Sequence, residues 1–123
     1  MKEATITNTE NIGFVSAHGT ATSFNDEMEA KALKLAGLIE IPVNSLKGFF
    51  GHTLGAAGII ESIISIHSLK YNTLIPTIGF KTLGVTENIS VITQVIEKKM
   101  NTCLKTASGF GGCNAAILYS KND

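Results

Sequence analysis

His18, Lys47, His52 and Glu61 are the residues of this 123-residue chain whose types and spacing best suit chemistry. His18 follows directly on the apolar run Ile12-Gly-Phe-Val-Ser-Ala17. That run reads as a buried strand, and α/β folds place reactive groups at the C-terminal ends of strands. A core or turn histidine is the plainer reading of His18 taken alone. His52 opens an expected helix, whose N-terminus carries partial positive charge, disfavours imidazolium and holds the ring neutral. A neutral ring donating one N–H suits stabilisation of an oxyanion or enolate; a histidine that merely satisfies backbone groups would look the same. Glu61 is the one charge between Leu54 and Ile66. On a buried helix it must be paired or protonated, and Lys47 is the economical partner. At about 100° per residue, Glu61 points away from His52 and reads as an organiser of the site. His67, near the helix C-terminus, reads as a dipole-favoured surface residue without a role.

Gly109-Phe110-Gly111-Gly112 does not match a P-loop or dinucleotide fingerprint. Glycines flanking an aromatic describe a pivoting loop whose phenylalanine can swing, as lids over acyl sites do. Cys113 enters a strand with no base beside it in sequence and reads as a structural thiol. None of the compact metal-ligand spacings occurs, so no metal is expected; a small metal-dependent hydrolase using His18, His52 and Glu61 is the remote rival.

These residues need a scaffold, and the chain outlines one. Asp26 and Glu29 resemble a capping box, followed by helical spacing of Met28, Ala32, Leu35 and Ala36 up to Gly37. A short strand falls at Val43 to Leu46, and a helix runs from Gly51 to Lys70. Ile59, Ile60, Ile63, Ile64 and Ile66 cover most of that helix's circumference. A helix apolar all round is a buried helix, and so short a chain has little with which to wrap it; the helix is expected in the middle of a larger body. Pro76 to Gly84 reads as an irregular connection. Two strands close the chain, Thr102 to Ser108 and Asn114 to Tyr119, joined as a hairpin by the glycine loop. The order β-α-β-α-β-β predicts an α/β layer fold, mostly parallel, with one antiparallel strand at the end.

Composition narrows the function. Ten basic and ten acidic residues balance, which argues against a nucleic-acid footprint or a membrane-surface patch. Charged residues make up 16% of the chain, below the roughly 25% usual in soluble domains, as expected if another polypeptide covers much of its surface. Two cysteines are too few for a disulfide framework. The start, MKEATITNTE, has no apolar h-region, and no apolar run reaches the roughly 20 residues that span a bilayer. The expectation is a cytoplasmic chain.

With these residues assembled, the sequence resembles the C-terminal half of the β-ketoacyl-acyl-carrier-protein synthases, elongating condensing enzymes of the thiolase superfamily. The resemblance rests on Ala17-His-Gly-Thr-Ala-Thr22 with Asn25-Asp26 and Glu29, and on Lys47 through Gly51-His52. It continues through Leu54-Gly-Ala-Ala-Gly58 with Glu61, Pro76-Thr77, and Gly109-Phe-Gly-Gly112 with Asn114. Thiolases carry Asn-Glu-Ala-Phe where this chain has Ala17-His-Gly-Thr20, and a Cys where it has Ser108, so the synthases fit better. The resemblance implies residues 1–123 as one ketoacyl synthase C-terminal domain, half of an α-β-α-β-α layered body with the glycine-rich helix in the middle layer. It implies that the nucleophilic cysteine lies in an absent N-terminal half, flanked by His18 and His52, which bind the malonyl thioester carbonyl. Lys47 and Glu61 would form the supporting ion pair, Thr20 and Thr22 would hydrogen-bond the phosphopantetheine arm, and Phe110, between Gly109 and Gly111, would gate the acyl pocket. No resident cofactor is implied, since phosphopantetheine arrives on the carrier protein. The implied partners are acyl carrier protein, the N-terminal half and, in the intact enzyme, a second synthase subunit as homodimer or heterodimer. The chain alone is expected to be inactive. It departs from the family at Thr106-Ala-Ser108, where Asn-Ser-Phe is usual, and at Leu46, where Thr is common. A non-catalytic subunit of the chain-length-factor kind is the alternative.

Overall fold

The computed structural model describes Met1 and residues 11–122; the start of the chain, read above as lacking a signal peptide, otherwise lies outside the described residues. Strand β1 (Ile12–Ser16) is buried along its whole length, as its uninterrupted apolar run requires of a central parallel strand. It pairs in parallel with β2 (Val43–Asn44), matching Val15 to Val43 and Ser16 to Asn44. On its other side it pairs in parallel with a long strand at Thr102–Gly109, matching Ser16 to Lys105. Between these lie helix α1 (Ser23–Leu35), a single turn α2 (Lys47–Phe50), a 3₁₀ turn at Leu54–Ala56 and helix α3 (Ala57–Tyr71). Two short strands, β3 (Thr73–Leu74) and β4 (Ile96–Glu97), then form a separate antiparallel pair. The long strand is therefore β5, and β6 (Cys113–Ser120) folds back on it from Gly109↔Cys113 to Thr102↔Ser120. The main sheet runs β2-β1-β5-β6, with the expected parallel body and antiparallel terminal strand.

Alternation along β5 sorts the core into two layers. Leu104 packs with Ile12, Val15, Val43 and with Leu33 and Leu38 from the α1 side. Cys103 packs with Phe14, Met100 and with Leu69 and Leu74 from the α3 side. The sheet thus lies between α1 and α3, the three-layer half of the expected architecture.

Three details differ from the sequence reading. Helix α1 begins at Ser23, with Thr22 in the cap position but no side-chain cap bond. The Asp26 and Glu29 carboxylates are drawn instead to backbone N–H groups of the preceding loop. The helix stops as expected at Gly37 (φ +72°): the Leu38 N–H reaches Leu33 O and the Gly37 N–H reaches Lys34 O, a Schellman closure. The expected continuous helix from Gly51 is broken, because Gly51 (φ +71°) ends α2 with its N–H on Lys47 O. Lastly, β3 and β4 flank the connection expected at Pro76 to Gly84, which is irregular as read, and were themselves not expected; two-residue strands carry no alternation to read.

Helix α3 is turned inside out. Ser62, Ser65, Ser68 and Glu61 are buried against the sheet, while Ile59, Ile63 and Ile66 are 62%, 49% and 45% exposed. The chain does not wrap its isoleucines, as its length foretold. Ser65 sits inward at low cost because its hydroxyl donates to the Glu61 carbonyl at 2.7 Å, the back-bond that satisfies a helical serine.

Candidate active site

His18 is buried at the end of β1, where the chain turns through Gly19 (φ +43°). A Cβ at Gly19 would lie 2.6 Å from Ser45 Cβ, so glycine is required for close approach as well as for conformation. Ser45 Oγ donates to the Gly19 carbonyl at 2.6 Å and its N–H donates to Thr77 Oγ1 at 3.1 Å. The ends of β1 and β2 and the loop at Thr77 are thereby tied together. From the other face the Glu29 carboxylate accepts the His18 N–H at 2.9 Å, the Gly19 N–H at 2.7 Å and the Thr106 hydroxyl at 2.8 Å. Such a carboxylate fixes a turn by consuming its orphan donors.

Helix α2 is one turn long, and its first residue, Lys47, reaches back under His18. The Lys47 ammonium donates to the His18 carbonyl, to Glu61 Oε1 at 2.7 Å and to His18 Nδ1 at 3.3 Å. An ammonium has no lone pair, so His18 Nδ1 is the acceptor and the ring proton resides on Nε2. Burial first, and then the Lys47 charge, hold His18 below its ordinary value of 6.5, against the opposing pull of Glu29 and Glu61. The ring is neutral.

His52 lies in the link between α2 and the 3₁₀ turn, not on a helix as expected. Its Nδ1 accepts the Leu54 N–H at 3.1 Å, which again leaves the neutral ring's proton on Nε2. The two imidazoles meet edge to face, with centroids 5.2 Å apart and planes at 83°. Among the described residues nothing engages either Nε2. The pair offers two preorganised N–H donors from separate elements.

The expected Lys47–Glu61 pair is present, with both side chains buried. Sequence reasoning missed its other half. Glu61 Oε2 faces Lys105 Nζ at 2.7 Å, an ion pair whose angles fall outside hydrogen-bond geometry. Lys105 spends its protons on the carbonyls of Ser16, Ala17 and Thr106. Burial lowers its ammonium below the ordinary value, opposed by Glu61. With both carboxylate oxygens on lysines, Glu61 is not disposed as a metal ligand, and no group of three His, Cys, Asp or Glu among the described residues could hold a metal ion. The sequence offered for Lys105 only a lone charge in an otherwise uncharged strand; its burial follows from the place of that strand between β1 and β6. The signal for Glu29 was a carboxylate early in the helix that follows His18-Gly19, read instead as half of a cap.

The remaining expected residues lie further out. Thr20 and Thr22 share a hydroxyl bond at 2.8 Å at the surface. Phe110 is fully exposed at the tip of the β5–β6 hairpin, where Gly111 (φ +81°) and Gly112 (φ +82°) make the turn. Phe110 closes nothing among the described residues. A cavity of about 660 Å³ opens beside the site, bounded by Thr20, Asp26, Lys47, His52, Ile78 and Leu83 among others.

Residues 1–81 match the family described as beta-ketoacyl synthase, C-terminal domain. The 3-oxoacyl-[acyl-carrier-protein] synthase 1 of Buchnera aphidicola (subsp. Acyrthosiphon pisum) is 34% identical over 113 residues, covering 89% of this chain and 28% of that protein. Among solved structures, the AntDE:AntF complex, a type II PKS acyl-carrier protein with its ketosynthase bound to the hexaketide, superposes with a TM-score of 0.87 at 33% identity. That match covers 92% of this chain and 29% of the other. The ishigamide ketosynthase/chain length factor also gives 0.87, at 27% identity over 93% of this chain and 29% of its counterpart. The chain therefore spans less than a third of the length of these relatives.

Proposed function

The chain belongs to the family of β-ketoacyl synthase C-terminal domains, and we propose that it supplies the histidine pair for decarboxylative Claisen condensation of malonyl-acyl-carrier protein with an acyl group held elsewhere. The observation that carries this reading is the convergence of His18 and His52, each with Nδ1 occupied as an acceptor. Two Nε2–H donors would receive the malonyl thioester oxygen. As the carboxylate leaves as CO2, the electron pair of the broken C–C bond enters an enolate whose charge rests on that oxygen. The enolate carbon then attacks the acyl thioester of a cysteine contributed by the N-terminal half, forming the new C–C bond and expelling the thiolate. Burial and, after it, the Lys47 charge disfavour protonation of His18; Lys47 also orients the ring, and Glu61 anchors Lys47. Thr20 and Thr22 would hydrogen-bond the phosphopantetheine arm at the cavity mouth, and the Gly109–Gly112 turn would carry Phe110 over the acyl pocket once the rest of the synthase is in place.

The test measures CO2 release and condensation from malonyl- and acyl-carrier protein, with this chain alone and joined to a nucleophile-bearing N-terminal half. The expected result is no condensation by the chain alone and turnover by the joined protein, reduced about 10²–10³-fold by His18→Ala or His52→Ala. Condensation by the chain alone, or CO2 release indifferent to both substitutions, would overturn the proposal. A non-catalytic chain-length-factor role predicts no turnover even with the N-terminal half supplied.

A further inference from the structure

Lys105 stands at the centre of the four-stranded sheet, on the strand that pairs with both β1 and β6, and only 2% of it is exposed. A lysine in such a place must be held by partners. It has three carbonyls and Glu61 Oε2, so one carboxylate is shared by two ammonium groups, one from α2 and one from β5. Lys47 in turn divides its donors between Glu61 and the His18 ring. The arrangement is a buried chain of four groups: Lys105, Glu61, Lys47, His18.

We propose that Lys105 is a positioning residue for His18: by occupying Glu61 Oε2 from the sheet side, it limits the hold of Glu61 on Lys47 and leaves the Lys47 ammonium to donate to His18 Nδ1. Remove the Lys105 charge, and the whole carboxylate is free to draw Lys47 from the imidazole. The His18 proton is then no longer confined to Nε2. The groups facing His18 are Lys47 from α2, Glu61 from α3, Glu29 from α1, Lys105 from β5 and the His52 ring; Glu29 is committed to the His18 and Gly19 N–H groups and to Thr106. No other charge on these elements approaches the ring among the described residues. Burial also keeps Lys105 from any reactive role of its own. It acts through Glu61.

This inference deepens the proposed function and rests on it for its catalytic meaning, but its readout is the imidazole and not turnover. The imidazole and lysine nitrogens of the full chain, ¹⁵N-labelled, are followed by NMR across the titration of His18 in wild type, Lys105→Met and Lys105→Met/Glu61→Gln. Wild type is expected to show a single neutral tautomer, protonated on Nε2. Lys105→Met is expected to show both tautomers and a proton affinity raised roughly threefold or more. Lys105→Met/Glu61→Gln, which lacks the carboxylate that would draw Lys47 away, is expected to return to the single Nε2–H tautomer, which a merely structural lysine would not produce. An unchanged tautomer in folded Lys105→Met overturns the proposal, even where the joined synthase condenses normally. Should Lys105→Met fail to fold, the wild-type protein decides: a Lys105 nitrogen already neutral near pH 7 overturns it, and a charged one with His18 held as Nε2–H supports it. No turnover by the joined wild-type synthase, with the His18 tautomer still shifted by Lys105→Met, would count against the proposed function instead.

Discussion

Glu61→Gln removes one charge and keeps the side chain's size, leaving two buried ammonium groups facing a neutral amide. Lys47 and Lys105 each lie 2.7 Å from a different oxygen of that carboxylate, so their nitrogens are at most roughly 8 Å apart. At an effective dielectric near 20, their mutual repulsion is about 2 kcal/mol. Breaking a buried ion pair by deleting one member costs about 3–5 kcal/mol in all, a large share of the roughly 5–15 kcal/mol that holds a domain together. With a urea slope of about 2 kcal/mol per M, the midpoint should fall by roughly 2 M, or the variant should be unfolded near neutrality. The sign of the pH response follows from Lys105, whose folded value lies below its ordinary 10.5. Between those two values the unfolded chain binds the additional proton, so stability rises with pH. Without Glu61 to oppose burial, that window widens toward neutral pH, and the deficit of the variant should shrink from about pH 7 to about pH 9.5. Urea unfolding followed by circular dichroism at both pH values reads this directly. A midpoint change under roughly 0.5 M, or a deficit equal at both, would refute the charge-sharing account.

Other consequences can be measured on the same protein. Ile63→Lys should reduce self-association and hydrophobic-dye binding, because Ile59, Ile63 and Ile66 form an exposed apolar row; a wild-type chain that sediments as a clean monomer and binds no dye contradicts this. Alkylation should label exposed Cys113 and spare Cys103, whose thiol burial pushes up to about 12; mass spectrometry of the native protein decides. Gly48→Ala should cost about 1–3 kcal/mol, since its Cβ would lie 2.3 Å from Ile78 Cγ2 and 2.6 Å from the Ile78 carbonyl; an unchanged unfolding midpoint would deny that contact. His18, held below 6.5, contributes stability that is complete above that value and declines as pH falls through it toward the lowered folded value. The acid loss of stability should therefore be smaller in His18→Asn than in wild type.

The sequence made β1, the end of α1 at Gly37 and the terminal hairpin legible because each has a local cause: an unbroken apolar run, a left-handed glycine, a glycine turn. The Lys47–Glu61 pair was also within reach, since a lone carboxylate in an apolar helix demands a partner. Lys105 escaped because it is far in sequence and sits in a strand whose other residues, Cys103, Leu104 and Thr106, gave no hint of a charged neighbour. The strand's central place in the sheet, not its composition, is what buries that lysine. The position of His52 was misread for a related reason. Gly51 looked like part of a glycine-rich helix start, but its positive φ ends one helical turn before the next begins. Which side of α3 faces inward was not readable either, because its inward positions carry Ser62, Ser65 and Ser68 and its outward ones Ile59, Ile63 and Ile66, the reverse of the usual order.

The short inward row of Ser62, Ser65 and Ser68 lets α3 ride low over β5. At such close approach a two-methylene arm such as that of Glu61 reaches a lysine at mid-sheet, with 2.7 Å between carboxylate and ammonium. Filling those inward positions with leucine or phenylalanine, a common route to a sturdier protein, would lift the helix and strand its carboxylate out of reach. Room for thermal hardening on this face is therefore limited by the same shallowness that keeps the electrostatic chain connected.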